Sequence, residues 1–273
     1  MKKLIFLLLV VLAISGCAKR EKKDLTVIFG TRLGDSGIAF FIQEEFEKRY
    51  GIKIKPRYRC MEMAVKEIKE GGVDVLLHAH PNIKILEEEG MVMGRKPVME
   101  SQWVLVGPPS DPAGVGNTKN IFEALRKIYK CKAPFLSRGD LSCQNTKEKQ
   151  LWETLRIKPE GEWYIISQLS NLPSLRMASQ MECYYLADEP TFLAERDFLH
   201  LKVFIKGEDI LKDRWEVMII NPKNFSVNYR KAKKVVEFLT SPDFQQKVKE
   251  WGKDRFGVAP YSPVFPIKTA KER

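Results

Sequence analysis

From Leu25 onward, short apolar runs alternate with segments in which apolar residues recur at helical spacing. Short apolar runs at residues 25–29 and 73–77 predict buried strands. Between them, apolar residues spaced three and four positions apart predict helices over residues 36–50 and 63–70. Residues 30–34 read as a glycine-containing turn between the first strand and the first helix. This alternation of strand and helix predicts an α/β fold with mostly parallel sheets flanked by helices.

Two apolar strands, at residues 102–108 and 214–222, each have a tryptophan at the second position and end at a proline-bearing turn. Between them the alternation of strands and helices starts again, so we expect a second lobe inserted into the first, with these strands as hinges. The predicted limits are 25–105 and 216–260 for lobe I, 106–215 for lobe II, and 261–273 for a proline-rich tail. Ligands of such sheets bind outside the carboxyl ends of the strands, here in a cleft between the lobes.

The first 24 residues have the pattern of a bacterial lipoprotein leader. Lys2 and Lys3 precede an apolar run that is shorter than the roughly 20 residues needed to span a bilayer. Ile14-Ser15-Gly16-Cys17 resembles a lipobox, so we expect a signal peptide over residues 1–16, lipidation of Cys17 and a tether over residues 17–24. An ordinary secretory signal is the alternative. The lipid on Cys17 would anchor the protein to a membrane outside the cytoplasm, in the periplasm or at the cell surface.

The chain is basic, with a formal net charge of +11. Its Lys and Arg residues are spread along predicted helices and form no dense block interleaved with aromatic residues, which argues against nucleic-acid binding. Four cysteines follow Cys17 at irregular spacings: Cys60, Cys131, Cys143 and Cys183. Their spacing is compatible both with disulfide bonds and with free thiols. The three histidines are not spaced as metal ligands, and we expect neither a metal nor a cofactor.

Two loops, at residues 30–37 and 137–146, share a pattern in which Gly, Ser, Thr and Arg stand between a strand and a helix. Free backbone N–H groups and the helix dipole favour an anion at such a position. Side-chain donors would come from Thr31, Ser36, Ser137, Arg138 and Ser142, and Gly139 would allow close approach of the backbone. Ordinary helix capping by the Asp and Ser residues explains either loop alone equally well. Two such loops facing one cleft favour anion binding.

Several motifs resemble the tungstate-binding proteins of tungstate ABC transporters, which have the type II periplasmic-binding-protein fold. The resemblance covers about residues 27–251 and is carried by Asp35-Ser36-Gly37, Val106-Gly107-Pro108, Lys132-Ala-Pro-Phe-Leu-Ser-Arg-Gly-Asp140 and Leu239-Thr240-Ser241-Pro242. It implies a monomeric solute-binding protein, not an enzyme, that closes two lobes around a small oxyanion and delivers it to an ABC permease in the inner membrane.

The chain departs from the family pattern in the loops that would bind the anion. The first loop of the family is rich in threonine, whereas Gly30-Thr31-Arg32-Leu33 keeps only one threonine. In the second loop, Cys143-Gln144 replaces a Gly-Thr pair of the family. The third loop is rich in glycine in the family, whereas residues 169–174 of this chain contain none. Arg32 either compensates for the lost donors or indicates a different ligand. The candidate ligand-binding residues are Thr31, Arg32, Ser36, Ser137, Arg138, Gly139, Ser142, Cys143 and Ser174.

Three functions are compatible with these observations. The favoured one is an extracytoplasmic binding lipoprotein for tungstate or molybdate, or for phosphate, sulfate or a small organic anion. A second is a sensing or structural surface lipoprotein with a degenerate site. A third is an enzyme with Cys143 as its nucleophile, although a cysteine in place of a binding-loop glycine is the simpler interpretation. His78 and His80 are expected at the edge of the cleft or on the surface.

Overall fold

The computed structural model describes residues 24–265. The predicted signal peptide, the lipidation site Cys17 and the tail beyond Phe265 lie outside these residues. The first half contains β1 (Leu25–Gly30), α1 (Thr31–Ser36), α2 (Ile38–Tyr50), β2 (Ile54–Arg59), α3 (Met61–Glu70), β3 (Val75–His78), α4 (Ile83–Glu88), β4 (Val92–Gly107) and α5 (Ile121–Cys131). The second half contains β5 (Phe135–Ser137), α6 (Cys143–Thr154), β6 (Tyr164–Ile166), α7 (Asn171–Gln180), β7 (Tyr185–Asp188), α8 (Glu189–Glu195), β8 (Lys202–Ile205), β9 (Lys212–Ile220), α9 (Tyr229–Leu239), α10 (Pro242–Glu250), α11 (Lys253–Phe256) and β10 (Ser262–Pro263).

The first lobe is built on a sheet with the strand order β10-β4-β9-β3-β1-β2. Strand β1 lies parallel to β2 and β3, whereas β9 is antiparallel to β3 and β4. Because side chains alternate along a strand, Phe29 packs with α2 and α9 on one face, and Ile28 packs with α3 and α4 on the other. Helices therefore cover both faces, as expected for an α/β sheet.

The second lobe is built around the end of β4. Residues Trp103–Val106 of that strand pair antiparallel with β7, and β8 pairs along its last residues. Strands β5 and β6 form a parallel pair, which a bridge between Phe135 and Tyr184 connects to the segment preceding β7. A cluster of buried aromatic rings, with Trp103, Phe135 and Trp152, fills the core on one face.

The predicted α/β class is confirmed, but the sheets are more mixed than expected. Parallel pairing among the described strands is limited to β1 with β2 and β3, and β5 with β6, apart from that single bridge. The crossing strands β4 and β9 run antiparallel to their neighbours, which the apolar pattern alone does not reveal. The exact limits of the two lobes stay a prediction.

The segment after β1 differs locally from the prediction of a turn. Residues 31–36 form the short helix α1, and Gly37, with φ of 91°, separates it from α2. A side chain at Gly37 would be strained in this left-handed conformation, so glycine allows the chain to change direction there. The predicted third loop also becomes helical, because α7 begins at Asn171. No helix among residues 24–265 has the length and apolar character needed to cross a bilayer.

The Tyr184 ring packs closely against Gly107, so a substitution at Gly107 tests the packing of the second lobe. A Cβ atom at this position would lie 2.4 Å from Cδ1 of Tyr184. The Tyr184 ring has little freedom to move, because its hydroxyl donates to Asp111 at 2.6 Å and accepts from the backbone N–H of Ala113 at 3.0 Å. We expect Gly107→Ala to lower the free energy of unfolding by about 1–3 kcal/mol, as overpacking does in other cores.

Urea denaturation of the purified variant checks this expectation. Phe198→Ala is the control, because Phe198 is 83% exposed and its removal should change stability by less than about 0.5 kcal/mol. Equal stability of Gly107→Ala and the parent protein would contradict the packing described here.

Candidate functional site

A cavity of about 300 Å³ lies between the two lobes. Its wall includes residues that lie just after strand ends. Thr31 follows β1, Arg138 follows β5, and His80 lies two residues after β3. The carboxyl ends of strands from both lobes therefore meet at this cavity, where ligands of α/β sheets bind. Its lining residues are Gly30, Thr31, Arg32, Cys60, Met61, Glu62, His78, His80, Arg138, Asp140, Leu141, Ser142, Cys143, Gln144, Gln168, Leu169, Ser170, Asn171 and Trp215.

The structure brings five of the nine candidate residues to this cavity and places the other four elsewhere. Those that line the cavity are Thr31, Arg32, Arg138, Ser142 and Cys143. Ser36, Ser137, Gly139 and Ser174 are not among its lining residues. The two loops singled out from the sequence thus do converge, although only part of each loop faces the shared space.

The three serines outside the wall form hydrogen bonds within the protein. The Ser36 hydroxyl lies 2.9 Å from the Tyr261 hydroxyl, and that of Ser137 donates to Glu148 at 2.8 Å. Ser174 donates to the carbonyl of Leu169 at 3.1 Å. These hydroxyls satisfy buried polar atoms, a role that a local pattern of serines and glycines cannot distinguish from ligand binding.

Gly139 has a packing role, and the ligand contact expected from the sequence stays a prediction. Its φ is 66°, and a Cβ atom there would lie 2.3 Å from Cγ2 of Ile166. Both the left-handed backbone and the close approach of β6 therefore require glycine at this position.

Arg32 is the most constrained charge in the wall of the cavity. Its Nη1 donates to Asp188 at 2.7 Å and its Nη2 donates to Asp213 at 2.6 Å. The guanidinium also lies between the rings of Trp103 and Trp215, 4.3 and 4.5 Å from their centroids. Burial lowers the pKa of Arg32, but the Asp213 and Asp188 carboxylates outweigh burial, so the pKa rises above its ordinary value and the side chain stays charged.

The environment of Arg32 differs from the role expected from the sequence. Its two terminal nitrogens already bind carboxylates, so it is not the uncommitted anion donor that the loop pattern suggested. Instead it connects α1 of the first lobe to the end of β7 in the second lobe. A hydrogen bond from a neutral amide also joins these lobes, because Nδ2 of Asn171 donates to Asp35 at 2.9 Å.

Arg138 retains a donor that has no protein partner among the described residues. Its Nη2 binds Asp140, whereas Nε is buried and forms no hydrogen bond. The residue is only 8% exposed, and its side chain lines the cavity. A buried N–H without an acceptor is costly, so a ligand oxygen at this point would form a favourable charge-assisted bond.

The loop that follows Arg138 is ordered by its own hydrogen bonds. Asp140 accepts from the backbone N–H of Ser142 at 3.1 Å and from its hydroxyl at 2.5 Å. Ser142 in turn accepts from the N–H of Asn145 as the N-cap of α6. Helix capping, the alternative interpretation of this loop, therefore coexists with its position at the cavity.

His78 is a cavity residue that the sequence analysis placed at the edge of the cleft or on the surface. It is 3% exposed, and its Nδ1 lies 3.0 Å from the carbonyl oxygen of Ala79. Burial lowers the pKa of His78 to about 3, and the nearby positive charge of Arg32 and the second imidazole of His80 act in the same direction. The strand-end rule that located the two loops also applies to β3 and could have identified this residue.

Cys143 is held as a thiol and not as a thiolate. Its Sγ–H donates to the carbonyl of Ala79 at 2.9 Å, and burial raises the pKa of the thiol to about 11. At neutral pH a nucleophile is therefore not available at this position. The four described cysteines, Cys60, Cys131, Cys143 and Cys183, are all free. Across residues 24–265, no three His, Cys, Asp or Glu side chains are arranged to hold a metal ion.

Comparisons with known proteins agree with this architecture. Residues 41–135 match the model of a family described as bacterial extracellular solute-binding protein. The chain is 32% identical over 282 residues to the tungstate-binding protein TupA of Peptoclostridium acidaminophilum, covering 97% of this chain and 96% of that protein. It is also 32% identical over 214 residues to TupA of Campylobacter jejuni, covering 76% of this chain and 79% of that protein.

A solved structure described as the tungstate ABC transporter from Geobacter sulfurreducens has the same fold. It superposes with a TM-score of 0.79 at 30% identity, covering 85% of this chain and all of the other. The relatives are solute-binding proteins of transporters and not enzymes, and the same holds for this protein. Full-length similarity and shared architecture together establish that the chain belongs to the tungstate-binding protein family of ABC transporters, within the type II periplasmic-binding-protein fold.

Proposed function

We propose that this protein is the extracytoplasmic solute-binding lipoprotein of an ABC importer, and that it binds a small oxyanion in the cavity between its lobes. Arg138 carries the proposal. Its guanidinium lines the cavity, is nearly buried, and has an Nε–H without a partner among the described residues. Because a guanidinium presents N–H groups in a fixed plane, it is well suited to an anion with several oxygens.

Thr31 and Ser142 both line this cavity; the Thr31 hydroxyl can donate to an anion, whereas the Ser142 hydroxyl already donates to Asp140. Thr31 belongs to α1 of the first lobe, and Ser142 precedes α6 of the second lobe. An anion bound between them would contact both lobes, so its binding energy would favour the closed arrangement over an open one. The strands β4 and β9, which cross between the lobes, are the elements about which such closure would occur.

The relatives direct the choice of solutes to be tested. Their names make tungstate, and the chemically similar molybdate, the first candidates; phosphate, sulfate and small organic anions follow. The partner that receives the solute would be an ABC permease of the inner membrane. The protein would act there as a monomer held to the membrane by lipid on Cys17, which lies outside the described residues.

Isothermal titration of the soluble protein that begins at Ala18 tests the proposal. We expect one-to-one binding of at least one of the oxyanions tungstate, molybdate, phosphate and sulfate. Arg138→Met should weaken that binding about 10- to 150-fold, because a hydrogen bond to a charged group contributes about 1.5–3 kcal/mol.

Arg126→Met is the matched control. Arg126 is exposed on α5 and is not among the lining residues, so its loss should leave the affinity unchanged. If none of the four oxyanions produced heat, or if both variants behaved alike, the proposed function would be refuted.

Arg32 generates a second prediction, about closure. Replacing it with methionine leaves the fully buried Asp188 without its cation, and such a loss typically costs about 3–5 kcal/mol of stability. We expect Arg32→Met to melt at lower temperature and to show a larger radius of gyration in small-angle X-ray scattering of the ligand-free protein. The double variant Arg32→Met with Asp188→Asn should recover part of the stability, because it removes the uncompensated charge.

Arg214→Met serves as the comparison for Arg32. Arg214 forms an exposed ion pair with Glu100 at 2.7 Å, and surface pairs contribute about 0–1 kcal/mol. An unchanged radius and melting temperature in Arg32→Met would contradict the role of Arg32 as a connection between the lobes.

Lipidation generates a third prediction, for the full-length protein expressed in a bacterial host. Cys17→Ala removes the thiol that would carry the lipid, so the protein should move from the membrane fraction to the soluble extracytoplasmic fraction. Fractionation followed by mass spectrometry of the N-terminal peptide measures this change. An unmodified Cys17 in the parent protein would exclude the lipoprotein assignment.

A further inference from the structure

We propose that Glu148 takes up a proton when an oxyanion binds in the cavity, and that in its protonated form it positions the loop of residues 137–142. The inference rests on the proposed oxyanion-binding function and assigns a role to a residue that lies behind the wall of the cavity. The proton would come from solvent and would offset part of the negative charge that the anion brings. Binding would therefore be tighter at lower pH, even for an oxyanion that does not itself titrate.

Glu148 is a buried carboxyl group without a cation of its own. It lies on the second turn of α6 and is 1% exposed. Its Oε2 accepts from the hydroxyl of Ser137 at 2.8 Å, and its Oε1 accepts from the hydroxyl of Tyr164 at 2.6 Å. No Lys or Arg side chain forms an ion pair with it in the part of the chain that the structure describes. Because a buried carboxylate without a cation is costly, this environment favours the protonated form.

The hydroxyl of Ser137 lies between two acceptors. Its oxygen is 2.8 Å from Oε2 of Glu148 and 3.2 Å from Oδ1 of Asn145, but a hydroxyl has only one hydrogen to donate. When Glu148 is ionised, the two acceptors compete for that hydrogen. When Glu148 is protonated, it donates to Ser137, and Ser137 donates to Asn145. Both contacts are then satisfied, so the protonated form gives the more complete set of hydrogen bonds.

These hydrogen bonds continue into the loop that carries Arg138. Nδ2 of Asn145 donates to the backbone carbonyl of Asp140, and the carboxylate of Asp140 binds Arg138. Ser137 directly precedes Arg138 in the chain, and both Arg138 and Asp140 line the cavity. The protonation of Glu148 therefore affects the order of the segment that presents Nε of Arg138 to an anion.

Glu148 is also coupled to the cavity through its charge. It lies one helical turn, about 6 Å along the axis of α6, beyond the lining residue Gln144. Burial raises the pKa of Tyr185; the positive charge of Arg138 lowers it, and the negative charge of Glu148 raises it. Both charges thus act on the same buried hydroxyl. A dianion beside Arg138 would bring negative charge into this region of low dielectric constant and would raise the pKa of Glu148.

The pH range of the effect follows from the surroundings of Glu148. Burial raises the pKa of Glu148 to about 7. The hydrogen bonds from Tyr164 and Ser137 oppose burial, and the positive charge of the exposed Lys149 opposes it less than they do. A bound dianion raises this pKa further, so binding takes up a fraction of a proton. The gain in affinity is complete below the pKa of the free protein and is lost as the pH rises through the pKa of the complex.

Tungstate, molybdate and sulfate are suitable probes, because all three are dianions between about pH 6 and pH 9. Any proton linked to their binding must therefore go to the protein. We would titrate the soluble protein that begins at Ala18, at each pH in buffers of different ionisation enthalpy. If binding raises the pKa of Glu148 by about one unit, the affinity should be about 5- to 10-fold higher at pH 6 than at pH 9, with uptake of about half a proton near pH 7.5.

Glu148→Gln tests whether Glu148 binds this proton. The glutamine oxygen can accept from Tyr164 and its N–H can donate to Ser137, as the protonated carboxyl group does. We expect the variant to take up no proton and to bind at pH 9 with about the affinity that the parent protein has at pH 6. A purely structural effect would weaken binding at every pH and leave the pH dependence intact.

Glu153→Gln is the matched control. Glu153 is exposed on the same helix and is not among the lining residues, so the substitution removes the same charge in contact with solvent. This variant should keep the pH profile and the proton uptake of the parent protein.

The possible failures are distinguishable. Proton uptake that persisted in Glu148→Gln would belong to another group, such as His80 in the wall, and would refute the inference while the binding function stood. Equal affinity of the parent protein at pH 6 and pH 9 would refute it in the same way. If tungstate, molybdate and sulfate all failed to bind, the inference would fail, and the phosphate titration would then decide the proposed function.

Discussion

The arrangement of the two lobes depends on one buried guanidinium. Arg32, on α1, lies between two tryptophan rings and donates to two carboxylates. These four partners belong to β4, β7 and β9. A charge with so little exposure is tolerated only when its hydrogen bonds are satisfied. The same side chain therefore joins the segments around the cavity and contributes to the charge of its wall. Its carboxylates hold the lobes together, and they also reduce the positive charge available to an anion.

This constraint gives the departures from the family pattern a physical interpretation. A loop that keeps one threonine has fewer hydroxyl donors, and Arg32 does not simply replace them, because its donors are directed to Asp188 and Asp213. What the cavity offers instead is the Nε–H of Arg138, which has no partner among the described residues.

The alternation of strands and helices predicted the α/β class because it depends on local burial patterns, and the two tryptophan strands correspond to parts of β4 and β9. The partners of Arg32 could not be predicted in this way, since they lie 156 and 181 residues away along the chain. The packing roles of Ser137 and Gly139 could not be predicted for a related reason. Whether a hydroxyl faces a ligand or a buried carboxylate, and whether a glycine serves a ligand or a neighbouring strand, depends on tertiary packing. His78 ends β3, but its burial depends on the elements that pack around it and not on its local sequence.

The most direct measurement of the central claim is a crystal structure of the protein grown with tungstate. The account predicts a tungstate between the lobes, with one oxygen within hydrogen-bond distance of Nε of Arg138. A tungstate found only on the outer surface, or a cavity that stays empty at saturating concentration, would contradict the account.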